Sequence, residues 1–499
     1  MQTTEITLEQ IRDFKGKYPR QLWYLFGSEM WERFCFYGMR GMLTVFMVNQ
    51  VAGLGLDDKT ANLQYGAIQA FVYAFTFIGG VFADKILGFQ KSLFWGALLM
   101  ITGGLVIAFS PAEMFYVGTC FFIIGTGFFK PNISTMVGQL YHEGDSRRDA
   151  GFSLFYSGIN LGALFGGILM VWVGKHYSWA LAFALVSVVM TISLINFFIR
   201  RRSLGPIGLS PLHPDMPRNK RRSYEIATYI GSLLVIPFIL KLVTNTHYTD
   251  LFMYIIGPAT LVYLGWEMRR FNSKENKRLL AALVFIIFSI LFWAFFEQAG
   301  GSLSLFALNN LHHTLLGFIP MDPNVVNNSA NSLFVIVFAP LVGLLWIWLS
   351  KRKLEPNSVV KFGIGFLLVA VAFFAFYATI FFADADGMTS LDIFTLGYFV
   401  ITFGELSLSP IGLSLMTKLS PQSIQGLMMG MWFLASAYGQ YVAGLLGAGM
   451  STADPNASNM AKLVNYTQGY HQLAVYALVA GVVLIAISPG VRRLMKGIH

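Results

Sequence analysis

Residues 29–40 read Glu29-Met-Trp-Glu32-Arg33-Phe-Cys-Phe-Tyr37-Gly38-Met-Arg40, which puts two carboxylates and two guanidinium groups inside an apolar stretch of membrane-spanning length. At about 100° per residue, a helix gathers four of these side chains on one narrow stripe. They are Glu29, Arg33, Phe36 and Arg40, with Glu32 and Tyr37 on the flanks. Each charge near the centre of a bilayer costs about 2.5 to 3.5 kcal/mol on insertion scales. The stripe must therefore pair internally or line a wet cavity, which indicates a pathway for ions or a polar solute.

A purely structural pair near a membrane interface is the alternative explanation of this stripe. Glu29 and Arg33 are spaced i and i+4, and such pairs also stabilise ordinary helices. That explanation leaves Glu32 and Arg40 without a reason to lie at membrane depth. We therefore favour the functional interpretation.

Composition places the whole chain in the membrane. Of 499 residues, 55% are hydrophobic and only 12% are charged, and the mean hydropathy is +0.60. A net charge of +10 would suggest a nucleic-acid partner in a soluble protein, but here the basic residues lie mainly in short connections between apolar runs. Cys35 and Cys120 both lie within apolar runs, so no disulfide framework or metal site is expected. We predict an all-α polytopic membrane protein without a nucleic-acid partner.

Apolar runs of spanning length recur along the chain and predict fourteen transmembrane helices. Alternate connections carry the Lys and Arg residues, whereas the loops at 308–329 and 383–391 carry none. By the positive-inside rule, both termini are predicted to be cytoplasmic. The predicted spans are 22–48, 61–83, 92–110, 113–138, 151–173, 179–199, 224–243, 249–268, 279–307, 330–350, 360–382, 392–416, 425–449 and 470–489.

One long linker, rich in Pro, Arg and Ser, follows the sixth span and predicts how the spans are grouped. We expect two six-helix bundles, with spans seven and eight inserted between them as a peripheral hairpin that carries no charge at its midpoint. The predicted segments are a cytoplasmic N-terminal segment 1–20, an N-terminal bundle 21–200, a cytoplasmic linker 201–223, the hairpin 224–270, a C-terminal bundle 271–493 and a cytoplasmic tail 494–499.

Further polar side chains lie inside spans of both halves. Lys130 and Asn160 belong to the first half, and Glu297 and Glu405 belong to the second. We expect Arg40 to pair with Glu297 and Lys130 with Glu405, so that the bridges join the halves in one state and part in another. The alternatives are that Lys130 snorkels to an interface and that the two glutamates are protonated and bonded to nearby carbonyls.

Three motifs carry a resemblance to a known family. Glu29-x-x-Glu32-Arg33-Phe-x-x-Tyr37-Gly38 resembles the first-helix signature of the proton-dependent oligopeptide transporters, the POT or PTR2 family of the major facilitator superfamily. Phe155-Tyr156-x-x-Ile159-Asn160-x-Gly162 resembles the family's second signature. Gly80-Val-Phe-Ala-Asp84-Lys85-Ile-Leu-Gly88 is similar to the superfamily motif between spans two and three. The resemblance extends from residue 20 to 490 and implies the major facilitator fold.

The resemblance also implies roles for individual residues. Proton coupling would involve Glu29, Glu32 and Arg33, together with Glu297 as the acid that pairs with Arg40. The substrate carboxylate would meet Arg40 and Lys130, with Tyr37 and Tyr73 as hydrogen-bonding neighbours. The substrate amino terminus would meet Asn160, Asn331 and Glu405. Trp293 and Trp432 resemble residues that shape side-chain pockets, although a lone tryptophan is as often a packing or interfacial residue. Ser409 is a further substrate-binding candidate.

Two positions depart from the family pattern. Phe36 stands where many members have a tyrosine, so one hydroxyl of the usual peptide site is missing. Gly66 stands where some members have a histidine, seven residues before the tyrosine matched by Tyr73, and the span contains no histidine. Coupling through such a histidine is excluded, which leaves the carboxylates. His312 and His313 lie in an outer loop and are expected to be solvated.

These observations predict proton-driven uptake of dipeptides and tripeptides by alternating access. A zwitterionic peptide would be oriented between cations on one wall and acids on the other, and protonation of an acid would bias a two-state bundle. The expected partners are small peptides, protons and the lipid bilayer. No cofactor is expected beyond protons as the coupling ion. The expected setting is a bacterial cytoplasmic (inner) membrane, with the chain functional as a monomer.

Other function classes stay open on the sequence alone. A sister-group transporter of nitrate or another anion would have a weaker acidic wall, yet Glu405 is present. A drug or sugar facilitator would not need opposed charges. A membrane-embedded enzyme is disfavoured because the scarce His and Cys residues form no nucleophile–base pair or metal cluster. A channel is disfavoured because no repeated filter sequence occurs.

Overall fold

The protein is described by a computed structural model that covers residues 6–213, 215–408, 412–452, 454 and 456–495, without the side chains of 412–414 and 417. Most of these residues are helical. The helices are Leu8–Arg12 (α1), Arg20–Val48 (α2), Asp58–Phe82 (α3), Phe89–Phe109 (α4), Pro111–Gln139 (α5), Arg147–His176 (α6), Trp179–Arg200 (α7), Arg218–Leu234 (α8), Ile236–Thr244 (α9), Thr246–Met268 (α10), Ser273–Phe296 (α11), Ser302–Asn310 (α12), Pro323–Lys351 (α13), Ser358–Ala378 (α14), Leu391–Leu408 (α15), Gly412–Leu419 (α16), Gln425–Met450 (α17) and Asn459–Leu494 (α18).

Short elements connect some of these helices. Strands Thr314–Leu315 (β1) and Ile319–Pro320 (β2) form a small antiparallel hairpin in which Thr314 lies opposite Pro320. A π-helical turn at Ala83–Leu87 follows α3. Single 3₁₀ turns lie at Arg201–Leu204, Glu297–Gly300, Thr379–Phe382 and Gln422–Ile424.

The helices have the length and composition of a polytopic membrane protein. Within the described parts of the chain, 12 helical segments are long and apolar enough to cross a membrane. The first and thirteenth predicted spans correspond to α2 and α17, which are long enough at 29 and 26 residues but are not among those 12 segments. Charges in α2 and the six glycines and two glutamines in α17 lower their hydropathy. The all-α polytopic class is confirmed, and the count of fourteen stays a prediction.

Several helix ends differ from the predicted spans. The predicted ninth span is interrupted, because α11 ends at Phe296 and α12 begins only at Ser302. The predicted fourteenth span begins at Asn459 rather than at 470, since the side chain of Ser458 caps that end of α18 by accepting from Ala461 N. Hydropathy registers apolar composition and not caps or breaks, which explains these differences.

The described residues form two compact units. The first unit comprises Met1–Met42, Val51–Leu54 and Phe71–Thr244, and the second comprises Leu43–Gln50, Gly55–Ala70 and Asn245–His499. The last residues of α2 and the first half of α3 therefore belong to the second unit. Of the predicted hairpin, α8 and α9 belong to the first unit and α10 belongs to the second.

Glycines allow the helices of the first unit to pack backbone against backbone. At Gly162 of α6, an added Cβ would collide with Met30 O of α2, and at Gly166 it would collide with Phe34 O. Gly127 of α5 is limited in the same way by the carbonyl of Phe75 on α3. Small residues at such contacts are typical of helices packed within membranes. These contacts fix α2 and α5 in place.

The linker after α7 is partly folded onto the first unit. Gln90 donates from its backbone N to Gly208 O at 2.9 Å and from Nε2 to Ile207 O at 2.7 Å. Ser210 Oγ donates to Ile86 O at 2.6 Å. The segment 205–210 is thus bound to the corner between α3 and α4, although its composition indicated only a linker.

The contact between α2 and α6 predicts the effect of a single methyl group. We expect Gly162→Ala to lower the free energy of unfolding by about 1 to 3 kcal/mol, because the new Cβ meets backbone that cannot move aside cheaply. Gly343→Ala in α13 is the matched control, since an added Cβ there meets nothing within 4 Å. Apparent melting temperatures of the purified variants measure the difference. Equal melting temperatures would contradict the close contact.

Candidate substrate and proton sites

A buried cluster in α2 joins two acids to one base. Arg33 Nε lies 3.3 Å from Glu29 Oε1, and the Arg33 guanidinium also hydrogen-bonds Glu32 Oε2. All three side chains are buried, with residue exposures of 3% for Glu29, 0% for Glu32 and 2% for Arg33. Among the described residues, none donates a hydrogen bond to Glu29 Oε2 or Glu32 Oε1. Two carboxylates thus share one guanidinium, and each keeps a buried oxygen where a proton can reside.

Aromatic rings separate the cations of the first unit. Lys130 Nζ lies 4.3 Å from the ring centroid of Tyr73 and 5.4 Å from that of Phe36. Phe36 also receives Arg33, whose Cζ lies 4.8 Å from the ring centroid. The ring therefore lies against two cations and stabilises both through its negative faces. This contact needs a ring but no hydroxyl, which makes phenylalanine sufficient at this position.

The other predicted groups of the first unit lie on the same helices or on α6. Arg40 Cζ lies 5.8 Å from the ring centroid of Tyr37. Lys130 is near enough to Glu29 and Glu32 for its charge to attract both. Asn160 is buried in α6 and donates through Nδ2 to the Tyr156 carbonyl of its own helix at 3.0 Å.

In the second unit, Glu297 lies where a helix breaks. It caps the end of α11, is only 3% exposed and begins the turn Glu297–Gly300. Gln298 Nε2 secures the turn by donating to Ala294 O and Ala443 O, both at 3.0 Å. Thr44 Oγ1 donates to Gly300 O at 3.0 Å. Side chains thus satisfy carbonyls that an unbroken helix would have bonded internally.

One face of α13 binds both the helix break and the second predicted acid. Asn324, Asn327 and Asn331 are spaced i, i+3 and i+7 and therefore share this face. Asn324 Nδ2 donates to Ser304 O at 2.7 Å, and Asn327 Nδ2 donates to Ala299 O at 2.8 Å. Asn331 Nδ2 donates to Glu405 Oε2 at 2.9 Å and to Thr402 Oγ1 at 3.1 Å. The asparagines therefore hold the break beside Glu297 and orient Glu405.

The two predicted tryptophans occupy facing helices of the second unit. Trp293 of α11 is half-buried, lies 5.6 Å from the ring of Phe296 and packs with its Cβ against Gly439 of α17. Trp432 lies on α17 and is 8% exposed. Both belong to the hydrophobic packing of this unit.

Sequence reasoning missed a buried ion pair and the central asparagine. Lys462 Nζ lies 3.7 Å from Asp58 Oδ2, which also accepts from Tyr466 OH at 3.0 Å and from Asn309 Nδ2 at 3.3 Å. The predicted last span begins at 470, which leaves Lys462 outside it. Asn327 falls in the predicted loop 308–329, because the predicted span begins at 330 whereas α13 begins at Pro323. The recurrence of Asn at 324, 327 and 331, which is the spacing of one helical face, is the signal for it in the sequence.

Several predicted features stay predictions. The pairs Arg40–Glu297 and Lys130–Glu405 each join residues of different units. The roles assigned to the site residues stay predictions as well. Ser409 lies outside the described residues. His312 lies at the surface, with Nε2 3.5 Å from Asp384 Oδ2. In the described parts of the chain, no group of three or more His, Cys, Asp or Glu side chains is arranged to hold a metal ion.

A polytopic all-α chain with ionisable side chains buried inside its spans has the architecture of a secondary transporter. Comparisons with known proteins identify the class further. The model of the POT family, PTR2, matches residues 90–463. The chain is 34% identical to the peptide transporter YePEPT of Yersinia enterocolitica, over 97% of this chain and 96% of that protein. It is 30% identical to dipeptide and tripeptide permease B of Aeromonas hydrophila, over 96% and 94% of the two chains.

A solved structure agrees with these relatives. The crystal structure of a mutant of the peptide transporter POT in complex with alafosfalin superimposes with a TM-score of 0.85 at 32% identity, covering 99% of this chain and 100% of that one. The chain therefore belongs to the POT family. It is a multi-pass membrane transporter with a fold of the major facilitator type, and it is not an enzyme.

The asparagine face of α13 predicts unequal effects at neighbouring positions. Asn327 accepts from Tyr398 OH at 2.6 Å besides donating to Ala299 O. We expect Asn327→Ala to lower the free energy of unfolding by about 1 to 3 kcal/mol, because it leaves two buried polar groups without partners. Asn328→Ala is the matched control, since Asn328 donates only to the Asn324 carbonyl of its own helix. Thermal denaturation of both variants checks this, and a larger loss in the control would refute it.

Proposed function

We propose that the protein is a proton-coupled symporter that imports dipeptides and tripeptides by alternating access. The observation that carries the proposal is the buried cluster in which Glu29 and Glu32 share Arg33. A permanently ionised cluster of this kind is costly inside a membrane, so it is retained where protonation has a use. The names of the relatives, which include a peptide transporter and a dipeptide and tripeptide permease, support the substrate class.

Peptide recognition follows from the opposite charges of the two sets of residues. Arg40 and Lys130 would bind the carboxylate of a zwitterionic peptide, with Tyr37 and Tyr73 beside them. Glu405 would bind the ammonium group, because Asn331 fixes one of its carboxylate oxygens and so orients it. Every peptide has these two ends, whereas the rings of Trp293 and Trp432 would tolerate varied side chains. Asn160 would add a hydrogen bond to the amino-terminal end.

Proton coupling follows from the charge count of the proposed groups. Glu29, Glu32, Glu297 and Glu405 carry four negative charges when ionised, and Arg33, Arg40 and Lys130 carry three positive charges. The seven groups then sum to one negative charge, and a zwitterionic peptide adds none. Binding of a single proton neutralises the set. Reorientation of the site is favoured for the neutral state, so binding of a proton drives the change of conformation that carries a bound peptide across.

Alternating access would use the charged pairs as gates. Arg40 with Glu297 and Lys130 with Glu405 would close in one state, and protonation of a glutamate or arrival of the peptide carboxylate would release its partner. We place the protein in a bacterial cytoplasmic membrane with both termini in the cytoplasm, because the basic connections lie on that side by the positive-inside rule. It would act as a monomer and need protons but no cofactor.

The cluster of Glu29, Glu32 and Arg33 predicts what happens to transport when one of its two acids is made neutral. Glu32→Gln should still bind peptide, because the substitution removes a proton site but none of the proposed peptide contacts. Accumulation of labelled dialanine driven by a pH gradient in proteoliposomes should fall to the level reached without a gradient, because the variant lacks the proton site that couples the gradient to uptake. Counterflow, which needs no net proton movement, should persist.

Glu113→Gln is the matched control, since Glu113 is an exposed acid at the start of α5. It should accumulate dialanine like the wild type. If Glu32→Gln accumulated dialanine at the wild-type level, the role of Glu32 in coupling would be refuted. That result would leave the proposed peptide substrate unchanged.

The proposed contact between Glu405 and the ammonium group predicts a non-additive effect. Acetylating the amino terminus of dialanine should weaken competition strongly in the wild type and only weakly in Glu405→Gln, because the variant has already lost the charge that acetylation removes. Amidating the carboxyl terminus should behave in the same way with Lys130→Gln. Inhibition constants against labelled dialanine measure both cycles.

Each variant serves as the control for the other, since Glu405→Gln should leave the effect of amidation unchanged. Tripeptide should compete in the same assay, whereas free alanine, tetrapeptide and nitrate should not. Additive effects in both cycles would remove these residues from the peptide site. If nitrate were the only strong competitor, the proposed substrate would be a small anion and not a peptide.

A further inference from the structure

A cavity in the first unit lies apart from the proposed substrate groups. It has a volume of about 420 Å³ and lies between the beginning of α4, the end of α7, α8 and the linker segment 205–210. Its lining combines basic, hydroxyl and aromatic side chains. Those that matter here are Lys91, Phe94, Phe198, Arg201, Ser210 and Tyr229.

Hydrogen bonds and a ring contact join the elements that form the walls of the cavity. The bonds from Gln90 and Ser210 hold the linker segment against the start of α4. Trp95 of α4 binds α8 through a hydrogen bond from Nε1 to Ser232 Oγ at 3.0 Å. Its ring also lies 4.7 Å from that of Tyr229. A ligand there would meet a preformed site.

Charge within the cavity favours one negative group. Lys91 Nζ lies 2.5 Å from Glu225 Oε1, so these two charges compensate each other. The guanidinium of Arg201 stacks on the Phe198 ring at 4.3 Å, and no described carboxylate lies within ion-pair distance of it. The three ionised groups sum to one positive charge, which matches the single negative charge of a phosphodiester.

The surface next to the cavity is apolar and exposed. The large apolar side chains of Phe94 and Phe198 are 37% and 48% exposed. The same faces continue along α4 and α7 through Leu98, Leu105 and Ile195, which are 38%, 56% and 52% exposed. Exposed apolar side chains on spanning helices face lipid chains. The cavity thus has a cation at its polar end and a lipid-facing surface at the other.

We propose that this cavity binds the headgroup of an anionic phospholipid from the leaflet on the linker side of the membrane. Arg201 and the Tyr229 hydroxyl contact the phosphodiester, and an acyl chain follows Phe94 and Phe198 along the exposed face of α4. Basic pockets between transmembrane helices bind such headgroups in this way. The bound lipid contacts α4, α7 and α8 together, so it stabilises the attachment of the linker to the first unit.

Lipid binding to the intact protein in detergent tests the proposal. Native mass spectrometry counts retained phosphatidylglycerol, and melting temperatures are measured with phosphatidylglycerol, phosphatidylcholine or free glycerol phosphate. Arg201→Gln should weaken phosphatidylglycerol binding about fivefold, as expected for one basic contact near a lipid surface. Arg202→Gln is the matched control, because it makes the same charge change next to the cavity but does not line it. Arg201→Lys should restore most of the binding.

The outcomes separate the proposal from its competitors. Phosphatidylglycerol should stabilise the wild type and Arg202→Gln by the same amount, and phosphatidylcholine should stabilise neither. Equal losses in Arg201→Gln and Arg202→Gln would show a diffuse surface charge and overturn the site. If free glycerol phosphate stabilised the protein as much as phosphatidylglycerol does, the ligand of the cavity would be a soluble phosphate and not a lipid. Peptide uptake does not enter these readouts, so they stand apart from the proposed transport function.

Discussion

The cost of an unpaired charge inside a bilayer determines most of this structure. Arg33 cannot face lipid, and it lies against two carboxylates and an aromatic ring within one helix and its neighbours. Such a cluster holds its geometry only if the surrounding helices cannot slide. The close contact of Gly162 with the backbone of α2 supplies that restraint, because it lies at the stretch of α2 that carries the charges. Packing and electrostatics therefore act on the same few residues.

In the second unit, side-chain amides satisfy buried polar groups that would otherwise lack partners. Breaking the helix at Glu297 exposes backbone carbonyls, and Asn324, Asn327 and Gln298 donate to carbonyls around the break. Because Asn331 continues the same face of α13 to Glu405, a shift of that helix changes the surroundings of both acids. The amides bear no charge, so they stabilise the break without adding to the charge count of the transport site. The acids remain the groups whose ionisation can change.

The sequence predicted the parts of the site that depend on composition and missed those that depend on distant partners. Hydropathy and helical periodicity located the charged stripe of α2 and the acids at 297 and 405. They did not locate the helix break, because a window of spanning length averages over the short polar and glycine-rich segment 297–302. They place Lys462 outside the last span because residues 459–469 are rich in polar side chains. The partner of Asn327 is Ala299, and no periodicity links residues that far apart. The linker was recognised by its prolines and arginines, but its binding to Gln90 follows from tertiary structure.

The inserted hairpin shows how anchoring contacts decide which unit a helix joins. Lys91 pairs with Glu225 and Trp95 binds Ser232, so α8 is fastened to the first unit. In the second unit, Tyr441 OH donates to Asp250 Oδ1 at 2.5 Å and Tyr438 OH donates to Met253 O, which fastens α10 to α17. The division falls where α9 ends at Thr244 and Asn245 caps α10. Each helix is thus held by polar contacts on its own side of Asn245. The linker at 201–223 lies within the first unit, so the chain passes from the first unit to the second at Asn245 and not in the linker.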